Sequence, residues 1–362
     1  MKKNILIIDD SALMRRVISD IINSDDRFQV VETAGNGLEG LYLLQGRAKD
    51  FDAVLLDINM PKMNGIELLA ELKKQGIKAT VIVVSTIAVK DAKETIQALE
   101  LGAFDFIRKP DNYLEVKSNI FSGSIIKCLV TATKAENKQN KEFHQTELMQ
   151  LKQDKDLPIK HTRKRSDKNE RKVIALACST GGPKALHTVI PKLPKNLDAS
   201  VLIVQHMPGG FTKSLADRLN ELSEITVKEA EDGDIIEKGN VYIAKGGYQM
   251  RLKDQENGSL YISISAEPAR HGLLPCADIM YESLCNLEID QITCVVLTGM
   301  GGDGTAGISS LYRKQNIFVI AQNEETSVVY GMPKVIRDAG LVDEVLGLNE
   351  ISDAITKKVG VR

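Results

Sequence analysis

Short apolar runs alternate with amphipathic stretches twice along this chain, and this alternation limits the possible folds more than any other feature. The first series of runs begins near residues 5, 28, 53, 80 and 104, and the second near residues 173, 201, 241, 294 and 318. Strand and helix alternation of this kind predicts parallel sheets covered by helices. We therefore expect two doubly wound α/β domains, at residues 1–127 and 172–358.

A β-hairpin interrupts the second series. The run from Gln249 to Lys253 and the run from Leu260 to Ile264 flank a polar turn that ends in Gly258. Two short runs around such a turn are typical of an antiparallel hairpin. The second domain is thus predicted to be mostly parallel with one hairpin.

Residues 128–171 break the alternation and are predicted to form a basic polar linker. Between residues 131 and 172 there are twelve basic and seven acidic side chains, including the basic run from Lys160 to Arg165. This run could contact nucleic acid or an acidic partner, but a solvated tether is the favoured interpretation. The net charge of −2 gives no general basic footprint, so we expect no nucleic-acid partner.

No apolar run approaches the roughly 18 to 20 residues needed to cross a bilayer. The first strand turns directly into Asp9 and Asp10, so no signal-peptide core is visible. The five cysteines contain no C-x-x-C pair, which argues against a disulfide framework or a zinc knuckle. A cytoplasmic protein without membrane insertion is predicted.

Three strand ends in the first domain carry charged side chains. Asp9 and Asp10 follow the first strand, Asp57 ends the third, and Lys109 follows the fifth. Parallel strands bring their carboxyl ends to one edge of the sheet, so we expect these residues to converge. Clustered carboxylates suit a hard cation such as Mg²⁺, and Ser85 at the fourth strand end could sense a phosphoryl group on Asp57.

The joint pattern closely resembles a response regulator receiver domain, which has a flavodoxin-like fold. The resemblance rests on Asp9-Asp10, the segment from Leu56 to Gly65, Val84-Ser85-Thr86 and Lys109-Pro110. It implies phosphorylation of Asp57 by a chemotaxis histidine kinase, with Mg²⁺ held by Asp9, Asp10, Asp57 and the Asn59 carbonyl. It also implies that Ser85 and Lys109 are switch residues, with an aromatic switch position near Phe106.

The first strand of the second domain ends in a glycine-rich turn, Cys178-Ser179-Thr180-Gly181-Gly182-Pro183. Free backbone amides at such a helix start can hold a phosphate, or the oxyanion formed when Ser179 attacks a carbonyl. The turn alone does not decide between these two functions and an ordinary glycine-rich turn without either. The G-x-S-x-G pattern of α/β-hydrolases is absent, because Ala177 precedes Cys178.

Two further strand ends favour acyl transfer. His206 follows the strand from Val201 to Gln205, and Asp303 follows the strand that begins at Cys294. With Ser179 they supply a nucleophile, a base and an orienting carboxylate. His271 is a rival base, but its loop position suits substrate contact better, and Asp303 could instead cap a helix. Cys178 is a rival nucleophile whose side chain should face away from that of Ser179.

The second domain also resembles the chemotaxis protein-glutamate methylesterase family, over about residues 172–358. The matching segments are Ser179–Pro183, Gln205–Pro208 with Gly210–Thr212, Glu229–Gly233, Val241–Ala244, Leu297–Gly301 and Tyr330–Pro333. The resemblance implies a triad of Ser179, His206 and Asp303, with Thr180 and the Met300 amide supporting the oxyanion and no cofactor in the esterase site. Cys178 and Gly302 depart from the common alanine and asparagine of the family.

The two resemblances together predict a phosphorylation-regulated serine hydrolase of bacterial chemotaxis. It would release methanol from glutamate methyl esters, or ammonia from glutamines, on methyl-accepting chemoreceptors. We hypothesise that the unphosphorylated receiver blocks the esterase. Two alternatives stay open at this point: a response regulator whose output domain only binds a ligand or partner, and a transcriptional regulator that uses the basic run.

Overall fold

The computed structural model describes residues 1–86, 89–110, 119–135, 170–256 and 258–362. The chain divides into two compact units, Met1–Lys138 and Gln139–Arg362. The basic run at 160–165 and most of the expected linker lie outside the described residues. The assignment of residues 128–171 as a linker stays a prediction.

The first unit contains a five-stranded parallel sheet. Its strands are β1 (Lys3–Ile8), β2 (Phe28–Ala34), β3 (Ala53–Asp57), β4 (Val81–Ser85) and β5 (Asp105–Arg108). Their order in the sheet is β2-β1-β3-β4-β5, and every neighbouring pair is parallel. This confirms the expected doubly wound receiver-type sheet, in which β1 and β3 are neighbours.

Helices pack on both faces of this sheet. They are α1 (Ala12–Asn23), α2 (Gly37–Arg47), α3 (Gly65–Gln75), α4 (Val89–Leu101) and α5 (Asn119–Thr133). Ile18 and Ile125, from α1 and α5, share a buried cluster with Ile5 and Ile7. Ile8 points to the other face, where its side chain lies against Gly40 of α2. The alternation of side chains along β1 thus supplies two cores.

The last helix of the first unit extends beyond the expected domain end at residue 127. It runs from Asn119 to Thr133, while residues 111–118 lie outside the described part of the chain. Leu129 and Val130 are buried in the same cluster as Ile125, which holds the helix against the sheet beyond residue 127. The expected domain end at residue 127 therefore falls inside a helix.

The second unit contains a seven-stranded parallel sheet and a separate hairpin. The sheet strands are β6 (Lys172–Cys178), β7 (Ser200–Gln205), β8 (Thr226–Glu229), β9 (Asn240–Ile243), β12 (Gln291–Val296), β13 (Ile317–Gln322) and β14 (Glu344–Leu346), and the hairpin strands are β10 (Gln249–Asp254) and β11 (Leu260–Ser265). The sheet order is β14-β13-β12-β6-β7-β9-β8. The α/β class and the antiparallel hairpin are both confirmed.

The central strands β6 and β7 are buried on both faces of the sheet. Every residue from Val173 to Cys178 and from Ser200 to Gln205 is buried. The helices of this unit are α6 (Gly182–Val189), α7 (Phe211–Leu222), α8 (Ala277–Ser283), α9 (Thr305–Tyr312), α10 (Met332–Asp338) and α11 (Ile351–Val359). In the described part of the chain, every helix is too short or too polar to cross a membrane.

Candidate functional sites

The acidic residues of the first unit meet Lys109 at the carboxyl edge of the sheet. Lys109 Nζ lies 2.8 Å from Asp57 Oδ2 and 3.0 Å from Asp9 Oδ2. Carboxylate oxygens of Asp9, Asp10 and Asp57 all lie within 4.8 Å of one another. The structure thus brings together the four charged residues that the strand ends predicted.

Burial shapes the electrostatics of this pocket. Desolvation raises the pKa of Asp57, and the Asp9 charge adds to this, although Lys109 acts in the opposite direction. Desolvation alone would lower the pKa of Lys109, but the charges of Asp57 and Asp9 raise it above its ordinary value. The lysine is therefore a fixed cation between two buried carboxylates.

The oxygen atoms of the pocket fit a Mg²⁺ ion. Asp9 Oδ2 is buried and, besides its ion pair with Lys109, has no hydrogen-bond partner among the described residues. Asp57 Oδ1 accepts a hydrogen bond from the Ile58 amide, at 2.8 Å, and Asp10 is exposed at the rim. A cluster of carboxylate oxygens, one of which has only an ion pair as partner, suits a hard cation that prefers oxygen ligands.

Two residues next to this pocket escaped the sequence reasoning. Asp91, in the first turn of α4, accepts hydrogen bonds from the side chains of Asn59, at 2.9 Å, and Thr86. Thr95 donates to the hydroxyl of Ser85, at 2.8 Å. Thus α4 contacts the fourth strand end through Ser85, whereas Phe106 is half-buried on β5. Only the helical spacing of residues 91 and 95 could have indicated these contacts.

In the second unit, Ser179, His206 and Asp303 follow the adjacent strands β6, β7 and β12. His206 Nε2 lies 2.7 Å from Asp303 Oδ2, and the two side chains are only 10% and 5% exposed. Ser179 is half-buried in the turn after β6. The His206 amide donates to the Cys178 carbonyl, at 3.1 Å, so main-chain pairing continues up to the two site residues.

The turn after β6 directs Ser179 and Cys178 in opposite ways. Cys178 is fully buried, and burial raises the pKa of its thiol. Gly181 adopts a left-handed conformation with φ of 77°, and Pro183 stands in the first turn of α6. Glycine adopts this left-handed conformation without a steric cost, so it permits the tight turn between β6 and α6. This geometry is unsuitable for a Cys178 nucleophile, since a buried neutral thiol is unreactive.

Asp303 is held by the start of helix α8 as well as by His206. Its carboxylate accepts hydrogen bonds from the Ala277 amide at 2.6 Å, the Asp278 amide at 3.1 Å and the Cys276 thiol at 3.1 Å. Burial alone would raise the pKa of Asp303, but the hydrogen bond and charge of His206 lower it well below its ordinary value. Asp303 therefore caps a helix and also orients the imidazole.

Asp278, which the sequence analysis did not single out, binds in turn to the backbone that follows Asp303. Its Oδ1 accepts from the Gly304 amide at 3.0 Å and from the Gly307 amide at 2.6 Å, at the start of α9. Burial, and next the charge of Asp303, raises the pKa of Asp278 to about 7. Asp278 and Asp303 thus hold each other's backbone segments. No local sequence pattern reveals a pairing between such distant positions.

Thr180 and Met300 follow β6 and β12 at the same edge of the sheet as the other predicted residues. Thr180 follows Ser179 directly, and its carbonyl accepts from the Thr298 hydroxyl at 3.0 Å. Met300 lies in the loop after β12, next to the close approach between Gly299 and Ser179. His271 is exposed in the loop before α8, with φ of 54°. Among the histidines of the described part, it is His206 that is paired with Asp303.

Two protein families match the chain. The family model described as "CheB methylesterase" matches residues 174–355, and the one described as "Response regulator receiver domain" matches residues 5–120. These ranges coincide with the two sheets.

Curated proteins similar to this chain match over nearly their whole length. A protein-glutamate methylesterase/protein-glutamine glutaminase of Syntrophomonas wolfei is 40% identical, with 98% of each chain covered. The protein of that name in Bacillus subtilis is 39% identical, also with 98% of each chain covered. Among solved structures, the CheB methylesterase catalytic domain of Thermotoga maritima is 41% identical, with a TM-score of 0.50, and covers 52% of this chain and 100% of that chain.

Proposed function

We propose, since this chain belongs to the CheB methylesterase family and carries a response regulator receiver domain, that Ser179, His206 and Asp303 are its catalytic triad. The protein is a CheB-type response regulator with protein-glutamate methylesterase and protein-glutamine glutaminase activity in chemotaxis. The observation that carries the residue assignment is the hydrogen bond between His206 and Asp303, beside the turn that holds Ser179.

The orientation of the imidazole decides which nitrogen acts as the base. Nε2 faces Asp303, so in the neutral ring this nitrogen carries the proton and donates a hydrogen bond to the carboxylate. The lone pair is then on Nδ1. We assign Nδ1 to accept the proton of Ser179, which reverses the use of the two ring nitrogens in chymotrypsin-like enzymes.

The reaction proceeds in two acyl transfers. Ser179 Oγ bonds to the ester carbon as its proton passes to His206 Nδ1, and the oxyanion is held near Thr180 and the Met300 amide. The bond to the methoxy group then breaks, and methanol leaves with that proton. Water, deprotonated by His206, cleaves the acyl-enzyme and releases the glutamate. A glutamine side chain follows the same steps, with ammonia as the leaving group.

We assign Asp57 as the phosphoacceptor of the receiver, with a histidine kinase as donor. Asp9, Asp10, Asp57 and the Asn59 carbonyl would hold Mg²⁺, which supplies positive charge to the incoming phosphoryl group. Lys109 already forms ion pairs with the two buried carboxylates and would pair with the phosphoryl oxygens. Ser85, held by Thr95, would donate to the same oxygens and so transmit phosphorylation to α4.

The substrates we assign are glutamate methyl esters and glutamines of chemoreceptors. The test is to incubate the full-length protein with membranes that contain methyl-labelled chemoreceptors and to measure volatile methanol. Ser179→Ala is expected to abolish release above background. Ser310→Ala, which changes a serine on helix α9, is the matched control and should release methanol at the wild-type rate. Unchanged release by Ser179→Ala would contradict the triad and favour a non-catalytic output domain.

A further inference from the structure

Gln205, the last residue of β7, lies between the proposed nucleophile and the proposed base. Its side chain is fully enclosed, and the residue is only 2% exposed. The amide nitrogen Nε2 donates to the Ser179 carbonyl at 3.1 Å and to the His206 carbonyl at 3.2 Å. One side-chain amide therefore bridges the main chains of both residues.

The other end of this side chain is equally constrained. Oε1 lies 3.0 Å from the Cys178 thiol, which donates to it. The Ser179 carbonyl also accepts from the Gly182 amide at 2.7 Å, so both of its lone pairs are used. The position of Gly182 requires glycine, because an added Cβ would collide with Oε1 of Gln205. The turn and the amide therefore fit only together.

We infer that Gln205 is a positioning residue that fixes the separation of Ser179 and His206 through their main-chain carbonyls. This inference rests on the proposed function of the two residues. Each reacting side chain extends from a backbone unit that the Gln205 amide holds. A misplacement of about 1 Å between reacting groups can cost roughly a hundredfold in rate, so such a bridge has catalytic consequences.

Cys178 supports the orientation in which the amide nitrogen of Gln205 faces the two carbonyls. A thiol donor at Oε1 places Nε2 toward the two carbonyls, where a donor is needed. The reverse orientation would set Oε1 against two acceptor oxygens, which is unfavourable in a buried site. This gives a role to a side chain that replaces the alanine common in the family.

The main experiment compares Gln205→Met with Gln315→Met in the full-length protein. Gln315 is the matched control, because its amide nitrogen also bridges two carbonyls, those of Cys285 at 3.2 Å and Leu287 at 2.9 Å. It precedes β13 and so lies at the opposite end of the sheet from Ser179. Active serine is titrated with a fluorophosphonate, and methanol release is expressed per labelled site.

We expect Gln205→Met to lower kcat per labelled site roughly tenfold to a hundredfold, with KM within about twofold of wild type. Gln315→Met should keep the wild-type value per site. A lost fold would lower only the number of labelled sites, so wild-type kcat per site in Gln205→Met would overturn the inference. If that variant does not fold, Gln205→Asn keeps an amide with a shorter reach and is expected to lose rate in the same way.

A second comparison tests the link to Cys178. Cys178→Ala should lower kcat per site about twofold to fivefold, and Cys178→Ser, whose hydroxyl can donate to Oε1, should restore it. In the Gln205→Met background, Cys178→Ala should have no further effect, since coupled residues are not additive. Additive losses would contradict the role of the thiol. Methanol release by Ser179→Ala would instead overturn the proposed function, so the two failures are distinguishable.

Discussion

At the scale of single residues, the catalytic edge of the second unit depends on two carboxylates with opposite electrostatics. Asp303 is held ionised by His206 and by donors from the start of α8. Asp278 is desolvated beside it and has a pKa raised to about 7. Two acids within one cluster can therefore have different protonation states at neutral pH, which is a common way to divide roles in an active site.

Replacement of Asp303 by asparagine tests the orienting carboxylate. The introduced amide replaces one acceptor oxygen with an NH2 donor, and a donor that faces Nε2 would favour the His206 tautomer with its proton on Nδ1. We expect Asp303→Asn to lower kcat for methanol release by about a thousandfold or more. Asp338→Asn, which changes an exposed acid paired with Arg337, is the control and should retain activity. A loss of less than tenfold in Asp303→Asn would argue against the triad.

The raised pKa of Asp278 predicts a pH dependence of stability. Between the ordinary value of 3.8 and about 7, the folded state holds a proton that the unfolded chain has released. The contribution of Asp278 to the free energy of unfolding therefore falls as pH rises through this window. Asp278→Asn removes the effect but keeps an acceptor for the Gly304 and Gly307 amides.

We expect the free energy of unfolding of wild type, relative to Asp278→Asn, to fall by about 1 kcal/mol or more between pH 5 and pH 8. Urea unfolding followed by circular dichroism at the two pH values measures this difference. Asp254→Asn, which changes an exposed acid at the end of β10, serves as the control and should show no such trend. A difference that grows in the opposite direction would contradict the raised pKa.

At the scale of secondary-structure elements, the sites are built where parallel strands end. β1, β3 and β5 deliver Asp9, Asp57 and Lys109, and the adjacent β12, β6 and β7 lead to the triad. The alternation of apolar runs predicted these strands because most of their residues are buried, although in β5 only Ile107 is buried. It missed β8 and β14, which are short edge strands; β14 has two exposed residues and so no apolar run to detect.

The contacts behind the site residues were not predictable in the same way. Ser179, His206 and Asp57 could be predicted because each is a chemically reactive residue at the end of an apolar run or directly after it. In the sequence, Gln205 cannot be distinguished from any other strand residue. Its hydrogen bond to the Ser179 carbonyl depends on the main chain that follows a neighbouring strand. The mutual support of Asp278 and Asp303 joins two helix starts that are distant along the chain. Such contacts follow from tertiary packing, which a periodic pattern does not encode.

The turn after β6 offers a test at this scale. In Gly182→Ala, the new Cβ would collide with Gln205 Oε1, so either the turn or the amide must move. We expect a loss of about 1–3 kcal/mol in stability and at least a tenfold loss of esterase activity.

Gly46→Ala in helix α2 is the matched control for this glycine replacement. Gly46 is exposed with open space around it, so an alanine should stabilise the helix by about 0.5–1 kcal/mol. Thermal unfolding and methanol release distinguish the two variants. Equal midpoints for Gly182→Ala and wild type would show that the turn is not close-packed.

At the scale of the whole molecule, one chain combines two doubly wound sheets that use the same edge for different chemistry. In the first unit the edge gathers acids around a lysine, where we propose that Asp57 is phosphorylated. In the second it gathers a serine, a histidine and a carboxylate, which we propose as the catalytic triad of the esterase. A reversible modification is suited to regulation, so we expect the first unit to control the esterase activity of the second.

This relation predicts that phosphorylation of Asp57 changes the rate of the esterase. A small phosphodonor such as acetyl phosphate, with Mg²⁺, should raise the methanol release of wild type by about fivefold or more. Activation requires that the phosphoryl group stabilise the active state more than the inactive one, and a factor of five corresponds to about 1 kcal/mol of such preference. Asp57→Asn retains the ion pair of Lys109 with Asp9 but offers no carboxylate to phosphorylate.

Asp57→Asn should therefore keep a basal rate that phosphodonor and Mg²⁺ leave unchanged. Asp26→Asn, which changes an exposed acid in the same unit, is the control and should be activated like wild type. Omission of Mg²⁺ should abolish activation of wild type without lowering its basal rate, because the esterase site is built from side chains of the second unit. Equal activation of Asp57→Asn and wild type would show that activation does not depend on phosphorylation of Asp57. A lower basal rate without Mg²⁺ would show that the ion takes part in the esterase reaction itself.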